Sequence, residues 1–188
     1  MFNKSIYEIL NITKNLNTLN MVNTIVKIDD YNMIIPNLYL GNIKSANDIE
    51  FLKNNKIEAI INCTENEPFN DYFNNKFKLR LSVNDSKNID NMIKFKNDIT
   101  DAIDFIETCL TNNKPVYVHC YWGLMRSATV IACYLIKKFN MLPKDAICII
   151  KEQRPRAISS IYNFNEILDY VYVNYNIAEQ QEQLWSSI

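Results

Sequence analysis

The sequence predicts an α/β domain: a mostly parallel central sheet of about five strands, helices on both faces, and a loop joining the last strand to a central helix. Three observations carry this reading. Ile57 to Cys63 and Val116 to Val118 are short apolar runs rich in β-branched residues, as strands buried on both faces are. Between and after them lie longer segments whose apolar residues recur at helical spacing. Strands alternating with helices of this kind place a parallel sheet between two helical layers. At 188 residues the chain suits one domain with short extensions, and it can bury a core without disulfide staples.

Taken in order, residues 1–30 read as an N-terminal helical extension, with Ile6, Ile9 and Leu10 forming an apolar face that Leu16, Leu19 and Met21 continue. The domain proper is expected over residues 31–176. Met33-Ile34-Ile35 and Leu38-Tyr39-Leu40, parted by Pro36-Asn37 and closed by Gly41, predict two short strands around a turn. Ala46 to Lys53 reads as a helix with Ser45 as its N-cap. Ile57 to Cys63 is the next strand, Pro68 to Asn75 a short helix, and Phe77 to Val83 a strand that alternates through Phe77, Leu79, Leu81 and Val83. Residues 90–110 make the clearest amphipathic helix, through Met92, Phe95, Ile99, Ala102, Ile103, Ile106 and Leu110, and Asn112-Asn113-Lys114-Pro115 ends it. Val116-Tyr117-Val118 is a strand. Arg126 to Phe139 is apolar nearly all round, which marks a central helix. Pro143 suits the first turn of another helix running to about Gln153. The last helix, about Tyr162 to Tyr175, turns Phe164, Ile167, Leu168 and Val171 inward, and residues 177–188 form a polar tail expected to fray.

Composition excludes several function classes. The longest largely apolar run, Ala128 to Ile136 with Thr129 within it, stops at Lys137-Lys138, short of the roughly 20 residues a membrane span needs. Met1 opens onto polar residues rather than a basic and then apolar leader, so no signal peptide is expected. With 20 basic and 21 acidic side chains the net charge is −1, and the lysines are scattered, which argues against a dedicated nucleic-acid binder. The five cysteines, Cys63, Cys109, Cys120, Cys133 and Cys148, form no CxxC pair, and a single His leaves no ligand set for zinc. An odd cysteine count fits a reducing compartment. A soluble, cytoplasmic chain is the expectation.

Against this background the rare residues stand out. There is one His (His119), there are two Gly (Gly41 and Gly123), and the arginines are only Arg80, Arg126, Arg154 and Arg156. His119, Gly123 and Arg126 fall within one segment, His119-Cys120-Tyr121-Trp122-Gly123-Leu124-Met125-Arg126-Ser127, between a strand and a helix. A loop entering a helix N-terminus presents unpaired N–H groups and the positive end of the macrodipole, a ready anion site. Gly123 permits positive φ or close approach of a ligand, and Arg126 offers a two-pronged donor to phosphate oxygens. A cysteine in such a field is favoured as its thiolate. The pattern predicts a nucleophilic sulfur held beneath a bound phosphate.

The order His-Cys-x-x-Gly-x-x-Arg-Ser is the signature of the cysteine-dependent protein phosphatases, and the chain resembles their dual-specificity family. Asn37-Leu38-Tyr39-Leu40-Gly41, Ala46 and Ile60-Ile61-Asn62 are similar to the family's opening strands, and Ser82-Val83-Asn84-Asp85 to its general-acid loop. The resemblance covers about residues 31–172. It implies a phosphatase-type phosphate loop and hydrolysis of phosphotyrosine, and of phosphoserine and phosphothreonine if the pocket is shallow. It implies Cys120 as the nucleophile that forms a phosphocysteine, Arg126 as holder of the phosphoryl oxygens, and Asp85 as the acid that protonates the leaving oxygen and then activates water. Ser127 would help the thiolate leave, and His119 would orient the loop and favour the thiolate by hydrogen bonding. Tyr121, Trp122, Gly123, Leu124 and Met125 would line the substrate. No metal or organic cofactor is implied, and the expected partners are phosphorylated proteins, with neither nucleic acid nor membrane.

Other readings stand beside these. Asp85 lies in turn chemistry, Asn84-Asp85-Ser86, with Asp90 as a fallback acid that looks more like a helix cap. Tyr121 and Trp122 either face the pocket rim or pack the loop, and Arg156 either meets a second phosphate or is solvated. The family often carries Pro-Asn before a Phe of the last helix, the Asn bracing the phosphate loop. Ser160 and Ile161 stand at those positions before Phe164, so the loop is expected to be less rigid. Some members place a second cysteine near the nucleophile, and Cys63 at the end of its strand is the candidate redox partner. RNA 5′-triphosphatases of the superfamily typically show Thr-His after the cysteine and lack the Asp, while a phosphopeptide-binding pseudophosphatase would be the non-enzyme alternative. Ser5-Ile6-Tyr7 is weakly similar to a dimerising N-terminal extension of viral members, which would make the chain a homodimer and allow a virion location.

Overall fold

Pro36 and Asn37 reverse the chain between its first two strands, and Asn37 takes the left-handed conformation (φ 64°) that a short polar side chain tolerates. The hairpin this makes opens a five-stranded sheet. The computed structural model describes residues 29–84, 89–159 and 164–177. In chain order these hold β1 (Tyr31–Ile35), β2 (Leu38–Gly41), α1 (Ile43–Ala46), α2 (Ile49–Asn54) and β3 (Ala59–Asn62). A 3-10 turn (Asp71–Phe73), β4 (Phe77–Arg80), α3 (Ile89–Thr111), β5 (Val116–His119) and α4 (Arg126–Phe139) follow. The chain continues through α5 (Pro143–Gln153), α6 (Asn165–Val171) and a π-helical segment (Tyr172–Ile177). The N-terminal extension and its dimer contact, Asp85, Ser160 and Ile161, and the tail from residue 178 lie outside the described residues.

The sheet order is β1-β2-β5-β3-β4, with β1 antiparallel to β2 and every other pairing parallel. β5 is the centre. Val116 and Val118 turn to the face where Leu38, Leu40, Ala59 and Ile61 meet the apolar sides of α3 to α6. Tyr117 turns to the other face and packs with Tyr39, Ile60, Phe51, Leu52 and Phe73. Helices therefore cover both faces, and α4 is buried from Arg126 to Ile136, as its all-round apolar sequence requires. Asn140 ends it in the left-handed conformation (φ 49°). Among the described residues no helix is long and apolar enough to cross a membrane.

Several boundaries differ from the sequence expectation for local reasons. The helix expected over 46–53 is two: Asn42 caps α1 through the N–H groups of Lys44 and Ser45, and Asp48 caps α2 through that of Phe51. Ser45 is buried inside α1 rather than capping. The helix expected over 68–75 is the 3-10 turn alone, capped by Asn70. β4 leaves the ladder after Arg80, although Leu81 and Val83 stay buried. The last helix begins at Asn165 and widens into the π segment after Val171.

What this architecture places matters most at one edge. Gly41 pairs with His119, and His119 with Asn62, so β2, β5 and β3 end at the same level. The segments that follow them, from Asn42, Cys120 and Cys63, emerge together at the carboxyl ends of parallel strands, where α/β sheets bind ligands.

Candidate active site

Cys120 is the first residue past β5 and is almost fully buried. Two donors reach its sulfur: the Gly123 N–H at 3.2 Å and the Ser127 hydroxyl at 3.3 Å. Ser127 lies in the first turn of α4, so the sulfur also faces the positive end of that helix.

The loop curls tightly because Gly123 takes φ 66° and lies against β2. A Cβ there would stand 2.3 Å from the Gly41 carbonyl oxygen and 2.8 Å from the Asn42 nitrogen. A Cβ on Gly41 would stand 2.3 Å from Tyr117 Oη. Gly123 thus lets the loop lie backbone to backbone against the end of β2, while Gly41 leaves room for the Tyr117 hydroxyl and the Asp30 carbonyl. The Ile43 N–H, donating to the Tyr121 carbonyl at 3.2 Å, joins the same two segments further out.

Arg154, which follows α5, locks the loop from beneath. Its buried guanidinium donates through Nε to the Gly123 carbonyl at 2.7 Å and through Nη2 to the Trp122 carbonyl at 3.3 Å. Nη1 donates to the Asp29 carbonyl at 2.8 Å and to Asn32 Oδ1 at 2.7 Å. The Trp122–Gly123 peptide unit is therefore held at both ends, its oxygen on the guanidinium and its N–H on Cys120 Sγ. A cation on the oxygen polarises that unit and strengthens its N–H as a donor. Ile158 adds a further brace: its N–H donates to the Leu124 carbonyl at 2.8 Å, from a φ of 48° that a β-branched residue rarely adopts. The expectation from sequence did not single out Arg154 and weighed Arg156 instead, which is exposed and does not line the cleft.

Above the loop lies a cleft of about 310 Å³ lined by Thr64, Glu65, Asn66, Glu67, Asn84, Tyr121, Trp122 and Arg126. Arg126 is buried, and its Nη1 donates to the Val83 carbonyl at 3.0 Å, which ties the start of α4 to the segment leading to Asp85. Tyr121 and Trp122, T-shaped to each other, face the rim. Leu124 and Met125 are half-buried, and Met125 packs on the core. Asp90 is exposed in the first turn of α3.

His119 stacks on Tyr117 with ring planes 7° apart. Burial, supplemented by the nearby charges of Arg80 and Arg126 and opposed by a backbone contact to Cys120, pushes its pKa down to about 4, so it is neutral near pH 7. Among the described residues its buried Nδ1 has no hydrogen-bond partner. Among the described residues the hydrogen bonds to the Cys120 sulfur come from Gly123 and Ser127, not from the imidazole. Cys63 follows Asn62 as Cys120 follows His119 on the paired strands, and its N–H donates to the His119 carbonyl at 2.8 Å. Burial first, and then the neighbouring Cys120, push the Cys63 thiol well up, against the lowering influence of Arg126.

A buried sulfur under two donors, a helix N-terminus and a guanidinium form a cradle for a tetrahedral dianion, with the sulfur placed to attack it. Comparison with known proteins agrees. Residues 38–172 match the family model described as dual specificity phosphatase, catalytic domain, and the chain belongs to that family. It is 36% identical to human dual specificity protein phosphatase 16 over 138 residues, which is 73% of this chain and 20% of that protein. Against human dual specificity protein phosphatase 9 the identity is 34% over 139 residues, 73% of this chain and 35% of that protein. Those relatives are several times longer than the region matched. The crystal structure of DUSP15 superposes with a TM-score of 0.70 at 27% identity, covering 80% of this chain and 93% of that one.

Proposed function

We propose that the chain hydrolyses phosphomonoesters on proteins, on tyrosine and on serine or threonine, through a phosphocysteine. The single observation that carries this is the Cys120 sulfur held by Gly123 and Ser127 at the mouth of α4, in the segment whose Tyr121, Trp122 and Arg126 line the cleft. In the first step the thiolate attacks phosphorus, the bond to the leaving oxygen breaks, and Asp85 gives that oxygen its proton. In the second, water attacks the phosphocysteine, Asp85 takes the water's proton, and the sulfur leaves with the Ser127 hydroxyl donating to it. Arg126 stabilises the equatorial oxygens in both steps. His119, neutral and stacked, serves the position of the loop. Cys63 is proposed as the redox partner of Cys120.

The test is a paired assay on para-nitrophenyl phosphate, phosphotyrosine and phosphothreonine peptides, and RNA with a 5′-triphosphate, all with chelator present. Release from the peptides is expected, abolished by Cys120→Ser and slowed about 10²- to 10⁴-fold by Asp85→Asn. Release from RNA alone, indifferent to Asp85, would overturn the reading in favour of an RNA triphosphatase. Peptide binding without turnover would make the chain a reader of phosphopeptides.

A further inference from the structure

The walls of the cleft have an unusual charge for a phosphate site. Among the described residues, the charged ones lining it besides Arg126 are Glu65 and Glu67. Both belong to the turn after β3, and that turn is tightly built. Asn62, fully buried, accepts from the Thr64 N–H at 3.0 Å and hydroxyl at 2.6 Å, and donates to the Glu67 carbonyl at 2.9 Å. Arg80 donates to the carbonyls of Thr64 at 2.8 Å, Glu65 at 3.3 Å and Glu67 at 2.8 Å. The guanidinium thus engages the backbone of the turn, and among the described residues neither glutamate carboxylate has an ion pair. The same cleft is lined by Tyr121 and by Trp122, which is 66% exposed, a large ring left to solvent beside a catalytic sulfur.

Carboxylates and an indole face lining one cleft are the chemistry that receives a cation, by ion pairing and by cation–π attraction. They are the wrong chemistry for a second phosphate. Resting on the phosphatase reading above, we propose that Glu65, Glu67 and Trp122 form a specificity rim that selects phosphopeptides with Lys or Arg beside the phosphorylated residue and rejects substrates with acidic or phosphorylated flanks. Arg126 binds the phosphoryl group itself, while the rim reads its neighbours. The preference falls on KM, because the flanking cation is held equally before and during phosphoryl transfer.

Three phosphotyrosine peptides differing only in the flanking residues, Arg, Gln or Asp, test it. Expected is the order Arg, Gln, Asp in kcat/KM, with about a tenfold span from first to last, two exposed ion pairs and one ring contact being worth about that much. The span should shrink in E65Q/E67Q and in W122L, and also for the wild type in about 0.5 M salt, where screening closes to a few ångströms. Because each ratio is taken within one protein, a change in the amount of active enzyme cancels. Equal rates, the reverse order, or a span unchanged in E65Q/E67Q and in salt would overturn the proposal. Binding of the same peptides to Cys120→Ser, read by anisotropy, decides it separately from turnover. Charge-ordered binding with no wild-type hydrolysis would sink the phosphatase reading and keep the rim, whereas hydrolysis without charge order would do the opposite. Tighter binding of a doubly phosphorylated peptide than of the Arg peptide would also overturn it.

Discussion

Replacing Arg154 with Met removes the guanidinium while keeping an unbranched side chain of similar reach. Four hydrogen bonds go with it, to Gly123 O, Trp122 O, Asp29 O and Asn32 Oδ1. They are not equal. The bond to Gly123 O is buried, so its carbonyl is left unsatisfied, at about 2–3 kcal/mol for a bond to a charged group. The other three are part-buried and water can replace them, so each contributes only about 0.5 kcal/mol. The expected loss is about 3–5 kcal/mol, a large share of the roughly 5–15 kcal/mol that holds a domain folded. Arg154→Lys keeps the charge but cannot fork to four acceptors, and about half the loss is expected. Activity should fall further than stability explains, because the Trp122–Gly123 peptide loses the cation that aims its N–H at Cys120 Sγ. Urea denaturation followed by circular dichroism gives the first quantity. The rate of para-nitrophenyl phosphate hydrolysis, at a temperature where both proteins are folded, gives the second. If Arg154→Met unfolds within about 1 kcal/mol of the wild type and turns over normally, the guanidinium does not brace the loop and the reasoning is wrong.

Gly123→Ala forces an L side chain into φ 66° and drives its Cβ to 2.3 Å from the Gly41 carbonyl, which is backbone and cannot swing aside. The left-handed conformation alone costs about 1–2 kcal/mol, so a destabilisation of at least about 3 kcal/mol with loss of activity is expected. A well-folded, active variant would contradict the packing described. For His119, a folded pKa of about 4 against 6.5 means that the unfolded chain binds more protons between those values. Stability from this residue is fully present above about pH 6.5 and is lost as pH falls through about 4, with a total of about 3 kcal/mol. His119→Gln should therefore flatten the acid limb of the stability curve measured by denaturation at several pH values, and an unchanged limb would refute the assignment. For Cys63, attack of the Cys120 thiolate on peroxide gives a sulfenic acid and hydroxide, and the Cys63 thiol then displaces water to form the disulfide, so the chain loses two hydrogens. Mass spectrometry should find that loss in the wild type and sulfinic acid on Cys120 in Cys63→Ser; sulfinic acid in both would eliminate the partnership.

How much of this was legible in the sequence varies by the range of the interaction concerned. The bounds of α4 and the strand–loop–helix around Cys120 follow from local pattern: an all-round apolar helix, an Asn to end it, a glycine to turn the loop. The split of α1 from α2 was less visible because Asn42 and Asp48 are both good caps, and only packing decides that both are used. Leu81 and Val83 keep the alternation of a strand after the ladder has ended, since burial continues where pairing does not. Arg154 was missed for a physical reason. A buried arginine and a solvated one look alike in sequence, and its partners lie 31 to 125 residues away. The available signal was its rarity, one of four arginines placed just where an amphipathic helix stops. Contact between Gly41 and Gly123 could have been suspected on the same ground. The acidic rim needed the fold, because nothing local says that the turn after β3 borders the loop after β5.

The central claim is that the Cys120 sulfur takes the phosphoryl group. Acid-quenching the enzyme during turnover of para-nitrophenyl phosphate, followed by digestion and mass spectrometry, tests it directly. The account predicts a peptide containing Cys120 that carries one added phosphoryl group, present in the wild type and absent from Cys120→Ser. Turnover with an unmodified Cys120 and a phosphoryl group on another residue, or turnover that survives in Cys120→Ser, would contradict it.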